Sequence, residues 1–167
     1  MPRKHGLRPY RVVKLSPDLL KLSSLVIDGG IEIHRAYGPG MFESAYSPCL
    51  AYELNVRGLK FEMKVPVPLF YKGLHIPRAY EADFIVEGCL VLELKAVDVL
   101  PKATKRQMGT YLRLLGCPLG LILNFGEETM KAGVHRVVNN FPFGTPPYAA
   151  VQIDIRDTPV TSVGPDK

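Results

Sequence analysis

The 167-residue sequence predicts an α/β protein. Its helices are expected to pack on a mixed sheet of the α+β type. Two helical patterns precede the first strand pattern. Two short apolar strands with acidic residues follow, at residues 81–86 and 90–95. An amphipathic helix then separates them from an apolar run at residues 119–125. The predicted order is helix, helix, three strands, helix, and one or two strands.

The first helix is predicted to begin at Pro17, because Ser16 is a favourable N-cap and proline suits the first helical position. Gly29 and Gly30 lie in its middle and favour a kink or a break there. Gly38-Pro39-Gly40 ends it. The second helix is predicted at residues 42–57, closed by Gly58.

The strand predicted at residues 60–70 alternates apolar and polar positions, and Pro66 and Pro68 on its second face indicate an edge strand. The third helix is predicted at residues 102–115, followed by Gly116 and Pro118. Its apolar stripe consists of Met108, Tyr111, Leu112 and Leu115. The uninterrupted apolar run at 119–125 predicts a buried strand, and further strands are predicted at 134–138 and 151–155.

Composition and charge predict one domain with terminal extensions. The boundaries are a basic arm at residues 1–15, a folded domain at 16–140 and a proline-rich tail at 141–167. Five basic residues and no acid lie within residues 1–14, which matches the net charge of +5. No apolar run is long enough to span a membrane. Three widely spaced cysteines and the lack of a signal peptide predict a cytoplasmic protein.

The strands at 81–86 and 90–95 carry acids where an ordinary buried strand has none. If Ala82, Phe84 and Val86 share a face, burial against the opposite leucines places Phe84 across from Leu92. That register requires a three-residue loop, Glu87-Gly88-Cys89, and puts Asp83 opposite Glu93. Directly opposed Cβ atoms are about 5 Å apart, close enough for two carboxylates to share a metal ion.

Asp83 and Glu93 are therefore candidate ligands for Mg²⁺ or Mn²⁺, because all-oxygen ligation suits these ions better than zinc. Lys95 lies on the same face as Glu93, where it can orient a water or stabilise charge on a phosphate. The alternative is an exposed sheet face with a structural Glu-Lys ion pair. The strand pair alone does not choose between the two.

A second basic group favours a phosphate-bearing partner. Its members are Lys102, Lys105, Arg106 and Arg113, within a stretch that has no acid between Asp98 and Glu127. Basic arms and basic helix faces attract nucleic-acid backbones. The alternatives are a solubilising terminus and a solvated helix face.

Several separated motifs match one family in the right order. They are Ile33-His34-Arg35, Gly38-Pro39-Gly40, the run Gly40-Met41-Phe42-Glu43-Ser44-Ala45-Tyr46, Glu93-Leu94-Lys95-Ala96, and Gln107 with Tyr111-Leu112. On these residues the chain resembles the GxxExxY protein family, placed in the PD-(D/E)xK nuclease-like superfamily, over residues 18–140. The superfamily's proline before the aspartate is absent, and Glu81-Ala82 stands there instead.

The resemblance implies a restriction-endonuclease-like αβββαβ core and a role for each matching residue. Asp83 and Glu93 would be the metal ligands, with Mg²⁺ or Mn²⁺ as cofactor, and Lys95 the catalytic lysine. Glu43 would complete the acidic cluster, and Gln107 would support the site. Each of the last two has an alternative: that Glu43 only stabilises the N-terminus of its helix, and that Gln107 is a surface residue.

The predicted function is metal-dependent hydrolysis of nucleic-acid phosphodiester bonds, with DNA favoured over RNA as partner. One alternative is a catalytically idle module that binds nucleic acid or protein on a nuclease fold, since fold does not guarantee activity. The other is a nuclease that is active only within a complex. No membrane association is expected, and a homodimer or a protein partner stays open.

Overall fold

The computed structural model describes residues 15–139. Its helices are α1 (Pro17–Tyr37), α2 (Glu43–Val56), α3 (Lys102–Leu115) and α4 (Met130–Gly133). Its strands are β1 (Phe61–Tyr71), β2 (Leu74–Val86), β3 (Leu90–Lys95), β4 (Leu119–Asn124) and β5 (Val134–Val138). The predicted tail, its possible strand at 151–155, and residues 1–14 of the predicted arm lie outside the described residues.

The strands form one sheet in the order β1-β2-β3-β4-β5. The β3–β4 pair is parallel, whereas β1–β2, β2–β3 and β4–β5 are antiparallel. The mixed sheet with helices packed on it confirms the predicted fold class and element order. The single-turn helix α4, for which the sequence has no periodic pattern, was not predicted.

Helix α1 begins as predicted, with the Ser16 Oγ accepting a hydrogen bond from the Leu19 backbone N–H at 3.2 Å. The helix continues through Gly29 and Gly30, so the break that was one of the two expectations is absent. Both glycines are buried, and a Cβ built on Gly29 would lie 3.2 Å from the Glu53 Cβ. The glycine pair therefore allows close packing of α1 and does not interrupt it.

Strand β1 lies at the sheet edge, as its prolines predicted. Its partner β2 begins at Leu74, earlier than the predicted residue 81, because Lys72 and Gly73 turn the chain with positive φ values of 45° and 87°. Asn-Gly and Asp-Gly are the usual pairs for such a turn, so the Lys72-Gly73 pair does not by itself predict a hairpin. The long β1–β2 hairpin contains a register shift between Val67 and Leu69.

The predicted pairing of β2 with β3 is confirmed at Phe84↔Leu92 and Val86↔Leu90, across the expected three-residue loop. The registered pairs end at Phe84↔Leu92. The prediction that Asp83 pairs with Glu93 in the ladder is therefore wrong. The main chains cease to pair one residue earlier than the hydrophobic pattern implied.

Two cores lie on opposite faces of the sheet. Phe84 and Val86 join the larger core with α1 and α2, whereas Ala82 joins the core that packs against α3. The expectation that Ala82 shares a face with Phe84 is therefore wrong. Their side chains lie on opposite faces of the sheet, with Asp83 between them in the chain.

None of the helices within residues 15–139 combines the length and hydrophobicity needed to cross a bilayer. The three cysteines are unpaired thiols, and burial raises the pKa of Cys117 to about 11.

Candidate functional site

Four of the five residues singled out in the sequence meet at one end of the sheet. Asp83 lies where β2 leaves β3, Glu93 and Lys95 are at the end of β3, and Glu43 is the first residue of α2. The fifth, Gln107, is exposed on α3 and its contact is with Tyr111. We call the group Asp83, Glu93, Lys95 and Glu43 the acidic cluster.

Asp83 is held by both of its carboxylate oxygens. Its Oδ2 accepts a hydrogen bond from the Leu94 backbone N–H at 2.8 Å, and its Oδ1 accepts one from the Lys64 Nζ at 2.8 Å. The first bond ties the residue to β3 after the main-chain pairs have ended. Asp83 therefore stays beside Glu93 even though the two are not paired in the ladder.

Glu93 is buried, with only 8% of its surface exposed. Its Oε1 accepts a hydrogen bond from the Lys95 Nζ at 2.8 Å, while its Oε2 is buried without a hydrogen-bond partner among the described residues. Burial raises the pKa of Glu93, the Lys95 hydrogen bond opposes this, and the nearby charge of Asp83 adds to it. A buried oxygen without a partner is costly, and a carboxylate oxygen of this kind is suited to bind a cation.

Lys95 lies between two carboxylates. Its Nζ is 2.8 Å from the Glu93 Oε1 and 3.8 Å from the Glu43 Oε1. Burial lowers its pKa, but the hydrogen bond and charge of Glu93 and the charge of Glu43 outweigh burial and raise the pKa. Lys95 is therefore a fixed cation at neutral pH.

Glu43 reaches this position because of the turn before α2. Gly40 has a φ of 114°, which a side chain would strain, and the helix begins three residues later. The Tyr46 Oη donates to the Gly38 carbonyl at 2.7 Å and accepts from the Met41 backbone N–H at 3.3 Å. Tyr46 thus fixes the turn.

The ring of Tyr46 stacks on Phe125 with the centroids 4.2 Å apart. Phe125 follows β4, and its backbone N–H donates to the Lys95 carbonyl at 2.7 Å. A continuous set of contacts therefore connects the start of α2 with the end of β3. Glu43 lies in the first turn of α2, where its charge favours the helix N-terminus, and its Oε1 is also 3.8 Å from the Lys95 Nζ.

Gln107 donates a hydrogen bond from its Nε2 to the Tyr111 Oη at 2.6 Å. Burial raises the pKa of Tyr111 to about 12, with a further increase from the charge of Glu93. The phenol is therefore a neutral group near the acidic cluster, and the hydrogen bond of Gln107 is to this phenol.

The sequence reading missed Lys64 and Asn124. Lys64 ends a Glu-x-Lys pattern with Glu62, like that of Glu93 and Lys95, but its contact with Asp83 depends on the hairpin register. Asn124 is fully buried at the end of β4, where its Nδ2 donates to the Val97 carbonyl at 2.8 Å and its Oδ1 accepts from the Val97 N–H at 3.0 Å. A polar residue ending an apolar strand was the available signal for Asn124.

His34, which belongs to one of the matched motifs, has its Nε2 2.9 Å from the Glu127 carbonyl oxygen. This contact connects α1 with the segment after β4 and leaves His34 outside the acidic cluster.

The donor set fits a hard divalent cation. Within residues 15–139 no three His, Cys, Asp or Glu side chains converge closely enough to form a metal site by themselves. Asp83 and Glu93 supply carboxylate oxygens, one of them unpartnered, and Mg²⁺ commonly binds through one or two carboxylates with waters and substrate phosphates. Three carboxylates against the ammonium groups of Lys64 and Lys95 also leave one negative charge in excess.

Helix α3 presents the predicted basic group to solvent. Lys102, Lys105, Arg106 and Arg113 are all exposed. Tyr111 on the same helix lies near the charge of Glu93, so α3 borders the acidic cluster. A phosphate chain attracted to α3 would lie beside the candidate site.

Comparison with known proteins gives one match. Residues 20–137 match the family model described as the PD-(D/E)XK nuclease superfamily. No curated protein and no solved structure is significantly similar to the chain.

Proposed function

The chain belongs to the PD-(D/E)XK nuclease superfamily, and on that premise we propose that it is a Mg²⁺-dependent nuclease that hydrolyses DNA phosphodiester bonds. The family match covers both acidic strands, α2 and α3. The observation that carries the proposal is the buried Glu93 Oε2, which lacks a hydrogen-bond partner in the described part of the chain and lies in a cluster with Asp83. Such an oxygen is suited to a bound cation.

Asp83 and Glu93 would hold the metal ion, which would stabilise developing negative charge and make a bound water more acidic. The protein's own contribution is positional. The Leu94 N–H fixes Asp83, and the ion pair with Glu43 directs the Lys95 ammonium toward the same space. Lys95 then orients the attacking water or stabilises charge on the phosphate. Because the Tyr111 hydroxyl is neutral, it adds no further negative charge beside Glu93.

Membership of the GxxExxY family within the superfamily is part of this proposal. It is supported by a physical reason for each residue of the spacing. Gly40 allows a backbone φ of 114°, Glu43 begins α2 and contacts Lys95, and Tyr46 is buried one turn later. The three positions together orient Glu43.

DNA is proposed as the substrate because α3 carries exposed basic residues, and the predicted arm at residues 1–15 would add more. Mg²⁺ is proposed because carboxylate oxygens suit it and it is satisfied by few protein ligands.

A second candidate function is a nucleic-acid-binding module with an idle site. The observation that favours it is that Asp83 and Glu93 each already have an ammonium partner, Lys64 and Lys95 respectively. These pairs neutralise the carboxylates without a metal. Tight metal-independent DNA binding with no cleavage would support this function.

The test is titration of Mn²⁺ and Mg²⁺ into the wild type and Asp83→Asn, with plasmid nicking measured on the same samples. We expect metal binding and nicking in the wild type and neither in the variant. Glu81→Gln is the matched control, since Glu81 is two residues away on β2 and pairs with Arg78 at the surface. Nicking that survives in Asp83→Asn would contradict the mechanism.

A further inference from the structure

Lys64 occupies an unusual place for a lysine on an edge strand. Its φ is 53°, in the left-handed region that residues other than glycine seldom adopt. The registered pairs on either side are Met63↔Phe84 and Val65↔Ala82, and Lys64 itself is left out of the pairing, across from Asp83. Strained backbone of this kind concentrates at functional sites.

The contact that results is a charged hydrogen bond to a proposed metal ligand. The Lys64 Nζ lies 2.8 Å from the Asp83 Oδ1, and the Lys64 side chain is 57% exposed while that of Asp83 is 12% exposed. The ammonium thus approaches Asp83 from solvent, the side from which a cation or a phosphate would enter. Leu94 holds the other oxygen, so the Oδ1 is the oxygen of Asp83 that faces the lysine.

We propose that Lys64 is an exchangeable counter-cation of Asp83: a metal ion displaces its ammonium from the Oδ1, and the freed ammonium then contacts a phosphate of the bound nucleic acid. This inference rests on the proposed function and adds a residue outside the Asp83, Glu93 and Lys95 set. Its physical basis is that one carboxylate oxygen cannot keep a short ammonium contact and a divalent cation at full strength.

Two results follow, and neither depends on turnover. Removing the ammonium should tighten Mn²⁺ binding, by roughly two- to fivefold for an ion pair this exposed. In the presence of metal, the freed lysine should add one phosphate contact, so the slope of log K against log salt for DNA should steepen by roughly 0.9. Without metal the Lys64 ammonium stays on Asp83, so the salt slope of DNA binding should be the same with and without Lys64.

The variant is Lys64→Asn, because asparagine tolerates left-handed backbone and carries no charge. Lys64→Gly is the second variant, since glycine removes the strain as well as the charge. Lys72→Asn is the matched control: Lys72 is in the same hairpin with a φ of 45°, but its ammonium lies 5.4 Å from the Tyr71 ring centroid. Folding of each variant is checked by thermal unfolding.

The experiment measures Mn²⁺ affinity by calorimetry, and the binding of a short fluorescent duplex over a salt series with Ca²⁺ or without divalent metal. We expect both Lys64 variants to bind Mn²⁺ more tightly and to lose the extra salt slope in Ca²⁺ only. Lys72→Asn should leave Mn²⁺ affinity unchanged, and any effect on slope should be equal in both conditions.

The inference would be overturned if the wild type binds metal and nicks DNA while the Lys64 variants match it in Mn²⁺ affinity and salt slope. The proposed function would then still stand. Mn²⁺ binding by neither the wild type nor the variants would overturn both. Mn²⁺ binding by the variants alone would support the inference, because it would show that the lysine excludes the metal.

Discussion

Asp83 substitutes for the main chain in the pairing of β2 with β3: its Oδ2 accepts the Leu94 backbone N–H at 2.8 Å just beyond the last ladder pair, Phe84↔Leu92. The Leu94 N–H is buried and would otherwise need another acceptor. One side chain thus closes the end of the sheet and presents its other oxygen to Lys64.

This double role predicts that two substitutions of Asp83 differ in stability. Asp83→Asn keeps a carbonyl oxygen for Leu94, whereas Asp83→Ala leaves the N–H unsatisfied. Alanine should therefore lower the free energy of unfolding by about 1–3 kcal/mol relative to asparagine. Urea denaturation of both variants measures the difference, and both should fail to bind Mn²⁺. Equal stabilities would mean that water or another group replaces the carboxylate.

Lys95→Met should separate metal binding from cleavage. The substitution removes the cation from the Glu93 Oε1 but leaves both proposed ligands in place. We expect nicking to fall by about 10²- to 10³-fold, the range for loss of one charge-stabilising group, with Mn²⁺ affinity retained. Lys131→Met, at an exposed position on α4, is the control and should nick like the wild type. Loss of metal binding in Lys95→Met would assign the lysine a structural role.

Metal binding should weaken on acidification sooner than for an ordinary glutamate site. Burial raises the pKa of Glu93 above its usual 4.5, and only the ionised carboxylate binds a cation. Affinity is therefore full above the raised pKa and falls as the pH drops through it, beginning at a pH above 4.5. Mn²⁺ titrations over a pH series measure this. A midpoint for the loss of affinity at or below pH 4.5 would contradict the prediction.

Gln107 should matter less than the acidic cluster. It is exposed and reaches the site only through its hydrogen bond to Tyr111. Gln107→Ala should reduce nicking by less than about tenfold, the effect of a neutral hydrogen bond worth about 1 kcal/mol. Tyr111→Phe removes the same bond from the other end and serves as the comparison. A loss as large as that of Lys95→Met would give Gln107 a direct role.

The two glycines of α1 should respond oppositely to substitution. Gly30→Ala should raise the free energy of unfolding by about 0.5–1 kcal/mol, because alanine favours helix and its Cβ would meet the Met130 Sδ at an ordinary 3.4 Å. Gly29→Leu should lower it by about 1–3 kcal/mol, because the Glu53 Cβ already lies 3.2 Å from the added Cβ position. Thermal and urea unfolding measure both. Stabilisation by Gly29→Leu would show that α1 and α2 can separate.

The elements could be read from the sequence because they depend on local signals. The Ser16-Pro17 start of α1, the stripe of α3 and the apolar run of β4 were each predicted, and α3 has the predicted bounds. The register Phe84↔Leu92 was also correct, because slipping by one residue would expose a buried face. Helix α4 and the early start of β2 were missed, because short elements and exposed strands carry little hydrophobic pattern.

The sequence by itself determined the mixed sheet, the edge position of β1 and the presence of Asp83, Glu93 and Lys95 at neighbouring strand ends. The tertiary structure decided which groups meet there. Near the turn the hairpin pairs Tyr71↔Leu74, a register that would place Lys64 across from Glu81. The shift between Val67 and Leu69 moves Lys64 to Asp83 instead. Pro68 lies at the shift and cannot donate to the ladder, but a proline does not say which residues the two strands pair on either side of it.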